Sequence, residues 1–342
     1  MTVALKKIIS VALAVLVLAS CLLMPSCSNN DELNRTVVGR VGNYDVYYEE
    51  LRWLTMQYKD LLESTYGVGI WDKPESAETY RAELERSVYE SIIANYAVLT
   101  LCDDEALTFN GEKAVDINGR TVQNLVEEYV NGTIEEAGGR AAYKKALEKN
   151  YLTDSLYRFI TGVDLCENLL FKQYCSLNII DDSDSAALDY IFANFIRTKH
   201  IYIQNDAGDK VEDNRALAEA VRIKLNNGED LDSLIATYSE DGYMSTENGY
   251  YFTHGKYSKA YEDAAFALNV GQVSEVIETY SGFYVIQRLE LDTAYVMLNL
   301  NTARLKDEYL LAVFDPFIEE CKAGLTFEPN DYGKSIDLTK MK

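Results

Sequence analysis

Histidine, proline, tryptophan and cysteine are all scarce in this 342-residue chain, which has two His, four Pro, two Trp and six Cys. The two histidines, His200 and His254, lie on separate segments. That excludes a His-rich metal site, and no Cys-x-x-Cys pair exists to build a zinc ribbon. No metal and no cofactor are expected. Basic charge is short as well: 32 Lys+Arg face 55 Asp+Glu, for a net charge of −23. Nucleic acid is therefore not an expected partner, because its phosphates require Lys and Arg to neutralise them. Long apolar runs are confined to the N-terminus. Against these shortages stand 26 tyrosines and a hydrophobic fraction of 48%, enough to bury a core despite the acid excess. At roughly 100–200 residues per domain, two domains are expected.

The first residues read as an address. Lys6 and Lys7 precede an unbroken apolar run from Ile8 to Leu18, followed by small residues and a cysteine. This is the layout of a secretory signal. The run falls short of the ~20 residues of a spanning helix, unless it is extended to Met24. Leu18-Ala19-Ser20-Cys21 resembles a bacterial lipobox, whose cysteine is acylated and becomes the new N-terminus. Cys27, behind Met24-Pro25-Ser26, is the alternative; the polar Ser28–Glu32 stretch behind it suits a tether. A cleaved, non-lipidated signal is a third reading. Loss of residues 1–20 removes Lys6 and Lys7 and no acid, taking the net charge from −23 to −25. Anionic headgroups repel so acidic a surface, so the protein is expected to stand off its membrane on residues 21–35. Secretion would permit disulfides among Cys102, Cys166, Cys175 and Cys321, but a chain this long does not need them. Their pairing is open, and buried free thiols are the simpler reading.

Along the chain, Thr36–Val41 and Tyr44–Val46 flank Gly42-Asn43 as a hairpin. Helical spacing follows over Tyr47–Leu62 and Ser76–Leu107, where Leu84, Val88, Ile92, Tyr96 and Leu99 recur on one face. Val122–Tyr129, Ala141–Lys149, Leu156–Tyr174 and Ala186–Phe195 continue it. At Arg197 the pattern changes. Lys199–Ile203 is a strand, Ala216–Leu225 a helix closed by Asn227-Gly228, and Asp230 caps a second helix. A Gly- and Tyr-rich loop, a short helix Tyr261–Leu268, a turn at Asn269–Gly271 and a strand Gly282–Leu289 complete a β-α-α-α-β unit of about 95 residues, the size of a small domain.

The segments "KHIYIQ", "GEDLDSLIATYSED" and "GYYFTHGKYSKAYEDAAFALNVGQVSEVIETYSGFYVIQRLE" resemble the parvulin peptidyl-prolyl isomerase domain, motif after motif in order over about Arg197–Glu290. The layout of lipobox, helical segment, parvulin insert and returning C-terminal helix is similar to PrsA-type extracytoplasmic foldases and more distantly to SurA-type chaperones. The resemblance implies an α+β protein: a mostly helical chaperone domain, made of N- and C-terminal segments together, with an inserted parvulin-like α/β domain having a small antiparallel sheet. The implied parts are a signal peptide over 1–20 (or up to a cut before 27), a tether over 21–35 and a chaperone region over 36–195. The isomerase domain would cover 196–292, and 293–342 would return to the N-terminal region through Thr302–Cys321 and Leu325–Glu328.

Rotation about an X–Pro bond is slow because amide resonance must be broken. No nucleophile or metal is required; an enzyme has only to bind the twisted amide better than the planar forms. By motif position, the resemblance makes His200 the first-strand histidine and places Asp241 at an acid-or-cysteine position near the substrate carbonyl. Phe252, Tyr257 and Tyr261 would line the proline slot, and Thr279 and Ser281 would supply hydroxyls before the last strand. Tyr284 is a departure, standing where the family carries a second histidine. A tyrosine hydroxyl can replace one histidine hydrogen bond but not two-sided imidazole bonding. Tyr257 puts a hydroxyl into a usually apolar slot. Each residue has a plainer reading beside this one. His200 can be a hydrogen-bonded core histidine, His254 a solvent-facing loop residue, Asp241 a helix-end cap, and Tyr257 and Tyr261 ordinary packing.

Two functions follow. One is a peptidyl-prolyl isomerase and chaperone for unfolded secreted polypeptides with X–Pro bonds, lipid-anchored outside the bacterial membrane; a homodimer is permitted. The other is a non-catalytic holdase whose parvulin unit is a degenerate binding lobe. A surface adhesin is a weaker third reading.

Overall fold

In a computed structural model, residues 31–72, 74–107, 119–205, 211–244 and 247–342 are described. The signal segment, Cys21 and Cys27 lie outside them. Among the described residues, no helix is long and apolar enough to cross a membrane. The fold is α+β. The described chain divides into two compact units, one formed by 31–181 with 312–342 and the other by 182–311. The stretch 196–292 lies within the second.

After a single helical turn at Asp31–Asn34, the first unit forms β1 (Val37–Val41) and β2 (Tyr44–Tyr47), an antiparallel hairpin turning at Gly42, whose φ of +55° a side chain rarely adopts. Five helices follow: α1 (Tyr48–Tyr66), α2 (Pro74–Asp104), α3 (Val122–Glu136), α4 (Arg140–Lys149) and α5 (Asp154–Ser176). Two of them start on threonine caps. The Thr121 and Thr153 hydroxyls accept the backbone N–H of Asn124 at 3.2 Å and of Leu156 at 3.0 Å, satisfying donors that a helix start leaves bare. The expected stripe on α2 is the buried one: Leu84, Val88, Ile92, Tyr96 and Leu99 are each at most 3% exposed. They join Leu51, Trp53, Val126 and Leu156 in one core. The C-terminal segment completes this core. Phe314 and Ile318 pack into it, and a strand at Phe327–Pro329 adds antiparallel to β1, pairing Phe327 with Val41 and Pro329 with Gly39.

The four cysteines of the described chain are free thiols, with Cys102 and Cys166 buried.

The second unit begins with α6 (Asp184–Asn194), then β3 (Ile196–Gln204), α7 (Val211–Asn226), α8 (Leu231–Tyr238), β4 (Tyr250–Phe252), α9 (Lys259–Ala267), β5 (Ile277–Thr279) and β6 (Gly282–Leu289). The sheet is antiparallel in the order β4-β3-β6-β5. Among the described residues the unit therefore holds four strands rather than the two of a β-α-α-α-β reading. The extra strands β4 and β5 are three-residue edges, too short to leave an alternation in the sequence. Asp230 caps α8 as expected, accepting from Ser233 N–H at 2.8 Å. α10 (Thr293–Asn299) and the start of α11 (Leu305–Ala323) close the unit.

Candidate active site

Alternation along β3 gives the sheet two faces. Ile201 and Ile203, with Phe283 and Val285 of β6, pack against Ala218, Val221 and Leu225 of α7 and Leu234 and Ile235 of α8. Residues on the opposite face, Thr198, His200 and Tyr202 of β3 and Tyr284 and Ile286 of β6, meet Phe252, Tyr261 and Ala265. The helix α9 covers that face, and the loop after α8 brings Asp241 to it.

His200 is 2% exposed and bonded at both ring nitrogens. Nε2 is 3.0 Å from Asp241 Oδ2, and Nδ1 is 2.9 Å from the Tyr261 hydroxyl. Burial pushes the imidazole down to about 4, against the pull of the Asp241 carboxylate, so the ring is neutral at pH 7. Asp241 also accepts the Tyr250 hydroxyl on Oδ2 at 2.7 Å and the Tyr243 N–H on Oδ1 at 2.9 Å. Partial burial raises its carboxyl, but the Tyr250 and Tyr243 bonds and His200 outweigh this and hold it below the ordinary range. The result is an ionised carboxylate, its side chain 16% exposed, held from three sides. The Ser239 hydroxyl, accepting Tyr202 N–H at 3.1 Å, and the Glu240 N–H, donating to Tyr202 O at 2.8 Å, tie the acid's loop to β3.

Aromatic rings surround the pair. Tyr250 stacks on His200 with centroids 5.4 Å apart, and Tyr257 lies 4.7 Å from both Phe252 and Tyr261. The expected slot residues divide by depth. Phe252 and Tyr261 are 3% and 1% exposed and form the floor, while the half-buried Tyr257, Tyr250 and Tyr284 carry the reachable ring surface. Burial raises the Tyr257 phenol to about 12, so it stays neutral.

Tyr284 does not take the hydrogen-bonding place of a second histidine. It lies edge-on to His200 at 5.1 Å and 86°, stacks on Tyr202 at 4.5 Å, and turns its hydroxyl to Ser281. Being opposite Tyr202 in the β3–β6 register, its ring is drawn into that stack rather than toward the imidazole nitrogens. Thr279 and Ser281 are likewise engaged in the β5–β6 turn: Thr279 Oγ1 donates to Gly282 O at 2.9 Å and lies 3.3 Å from Ser281 Oγ. His254 is solvent-facing and stacks on Phe266 at 3.7 Å.

Three contributors escaped the sequence reading. Thr198 lies 3.1 Å from the Tyr261 hydroxyl, Tyr250 holds Asp241, and Glu262 accepts the backbone N–H groups of Gly255, Lys256 and Tyr257 at 3.0, 2.6 and 2.8 Å. The period-2 phase shared by Thr198 and His200 is a signal for the first; β4, too short to read, hid the second.

Residues 200–290 match the Rotamase family, described as the PPIC-type PPIASE domain. The chain is 32% identical over 129 residues to the foldase protein PrsA of Geobacillus sp. (strain WCH70), covering 36% of this chain and 43% of that protein. That is less than two thirds of the relative's length. It is 23% identical to the foldase protein PrsA of Caldanaerobacter subterraneus over 268 residues, covering 77% of this chain and 76% of the other. A crystal structure of the peptidylprolyl isomerase PrsA from Bacillus anthracis covers 59% of this chain and 88% of its own at 19% identity, with a TM-score of 0.33. Residues 200–290 thus belong to the PPIC-type rotamase family, within a chain related to the PrsA-type foldases.

Proposed function

We propose that the protein is a parvulin-type peptidyl-prolyl cis/trans isomerase and chaperone that assists secreted polypeptides outside the membrane. The observation that carries this is the ionised, partly exposed Asp241 carboxylate, clamped by His200 and Tyr250 beside the half-buried rings of Tyr257 and Tyr284. The X–Pro barrier is amide resonance, which places negative charge on the carbonyl oxygen. A fixed carboxylate near that oxygen disfavours the charge-separated form. Aromatic walls favour the twisted amide, whose dipole is smaller. Both effects act on the rotation and need no proton transfer. His200 is deep and neutral, and its part is to hold the carboxylate in place.

The chaperone half of the proposal rests on the helical unit. Tyr66, Val68, Tyr129, Leu177 and Ile179 are all at least half exposed there, apolar surface available to unfolded clients. Residues 31–181 with 312–342 would form the chaperone body and 196–292 the isomerase domain, with Cys21 or Cys27 as the acylated anchor of an extracytoplasmic lipoprotein. A homodimer is compatible with this arrangement.

A protease-coupled assay on an X–Pro peptide tests the activity. The purified protein is expected to accelerate isomerisation, and Asp241→Ala to lower kcat/KM by about tenfold or more, a loss of at least ~1.4 kcal/mol of transition-state stabilisation. A wild-type rate equal to the uncatalysed one at high protein concentration would refute the enzyme and leave the holdase.

A further inference from the structure

The bonds at His200 fix the direction of every proton in the chain around it. A carboxylate only accepts, so the 3.0 Å contact between Nε2 and ionised Asp241 requires the proton on Nε2. A neutral imidazole then has a bare Nδ1, which must accept. The group facing it at 2.9 Å is the Tyr261 hydroxyl, on a side chain 1% exposed. With its own hydrogen donated to Nδ1 as a hydrogen bond, the Tyr261 oxygen accepts from Thr198 Oγ1 at 3.1 Å. Tyr250, Asp241, His200, Tyr261 and Thr198 therefore form one continuous array, with donors running inward from both ends onto a single carboxylate.

We propose that the buried Tyr261 hydroxyl is a positioning group of the isomerase site, fixing His200 as its Nε2–H tautomer so that the ring donates its Nε2–H hydrogen bond to the Asp241 carboxylate. The assignment rests on the isomerase reading of this site. Tyr284, the residue at the strand position opposite Tyr202, does not perform this task, since it meets the ring edge-on. The oxygen that completes the imidazole comes instead from the helix α9, through a residue otherwise readable as apolar floor. Without it, the buried Nδ1 would lose its only donor among the described contacts. The ring would be free to exchange tautomers, and the alternative Nδ1–H form presents a bare Nε2 to the carboxylate, repelling it. Thr198 acts one step further back by orienting the Tyr261 hydroxyl.

Long-range proton–nitrogen correlation spectra of the His200 ring test this, on the whole protein with histidine labelled at both nitrogens. His254, the other histidine, is assigned by its removal in His254→Gln. Wild type is expected to show one tautomer, protonated at Nε2, with Nδ1 shifted by an accepted hydrogen bond. Tyr261→Phe removes a single oxygen; it is expected to lose that shift and introduce tautomer exchange. In the peptide assay it should lower kcat/KM by about 5- to 10-fold with little change in KM, as for one lost positioning bond. Thr198→Val is expected to move the same Nδ1 resonance by less. It serves as the reading if Tyr261→Phe does not fold. An Nδ1–H tautomer in wild type overturns the proposal. So do His200 resonances unchanged in a folded Tyr261→Phe, or, should that variant not fold, unchanged in Thr198→Val. The spectra decide this even if wild type shows no isomerase activity, in which case the functional reading fails and the positioning assignment is judged on the tautomer.

Discussion

At the residue scale, the protein holds several ionisable groups in partly or wholly buried places, and partner geometry decides each one's charge. Asp241 and Glu262 are held ionised by N–H and O–H donors. Glu50, 2% exposed, is the opposite case. Burial raises its carboxyl to about 7, despite bonds from Asn95 at 3.0 Å and the Tyr96 hydroxyl at 2.8 Å. Its folded value lies above the unfolded one, so its contribution to stability is full below about 4.5 and is lost as pH rises through 7. Glu50→Gln is expected to leave stability nearly unchanged at pH 4.5 and to raise it by about 1–3 kcal/mol at pH 8, as read by denaturant unfolding. An amide at position 50 can still accept from Asn95 and donate to the Tyr96 oxygen, whose proton then goes to Asp45 O at 3.2 Å. Equal wild-type and variant stabilities at pH 8 would contradict the assignment. Composition counts Glu50 among 55 acids; only its position in the core sets it apart.

At the element scale, caps and long amphipathic helices were legible because their signals are local. Asp230 before α8 and the α2 stripe are examples. The edge strands β4 and β5 were not legible, because three residues carry no period and their conformation is imposed by β3 and β6. The segment Gly255–Tyr257 is a further case. It has no regular structure, yet its three N–H groups converge on Glu262 at the start of α9. Burial raises the Glu262 carboxyl, but those three bonds prevail and lower it. Its stabilisation is therefore present above the ordinary carboxylate range and fades as pH falls through the depressed value. Glu262→Ala is expected to cost about 1–3 kcal/mol and to speed amide hydrogen exchange at Gly255, Lys256 and Tyr257. Unchanged exchange at these three would show that the loop is held by something else.

At the scale of the whole molecule, the features that matter are the charge and the division of the chain. On the proposed chaperone function, a net charge of −23 would favour basic clients and steer them by an attraction that salt screens. The purified protein is expected to suppress aggregation of a basic unfolded client, and Asp241→Ala to do so equally well. Suppression should weaken between 50 mM and 500 mM salt. Loss of suppression in Asp241→Ala would tie the holdase action to the isomerase site rather than to the helical unit. The same chain ends that lie furthest apart in sequence meet in that unit, with Phe327 on Val41 and Tyr89 4.8 Å from Phe327. No local pattern specifies this pairing, because strand partners are chosen by the buried surface they share.

By itself the sequence determined the rotamase-type segment, the helical composition of the rest, the acidic character and the placement of a histidine on the first strand of that segment. Motif order and helical periodicity are properties of neighbouring residues and survive without coordinates. Tertiary structure alone decided which hydroxyl completes the imidazole. Tyr261 and Tyr284 are indistinguishable in composition, and motif position favoured the second. Packing of α9 across the sheet brought the Tyr261 oxygen to Nδ1, while the stack on Tyr202 turned Tyr284 edge-on. Hydrogen bonds demand an approach within about 3 Å, a distance that only the folded chain sets.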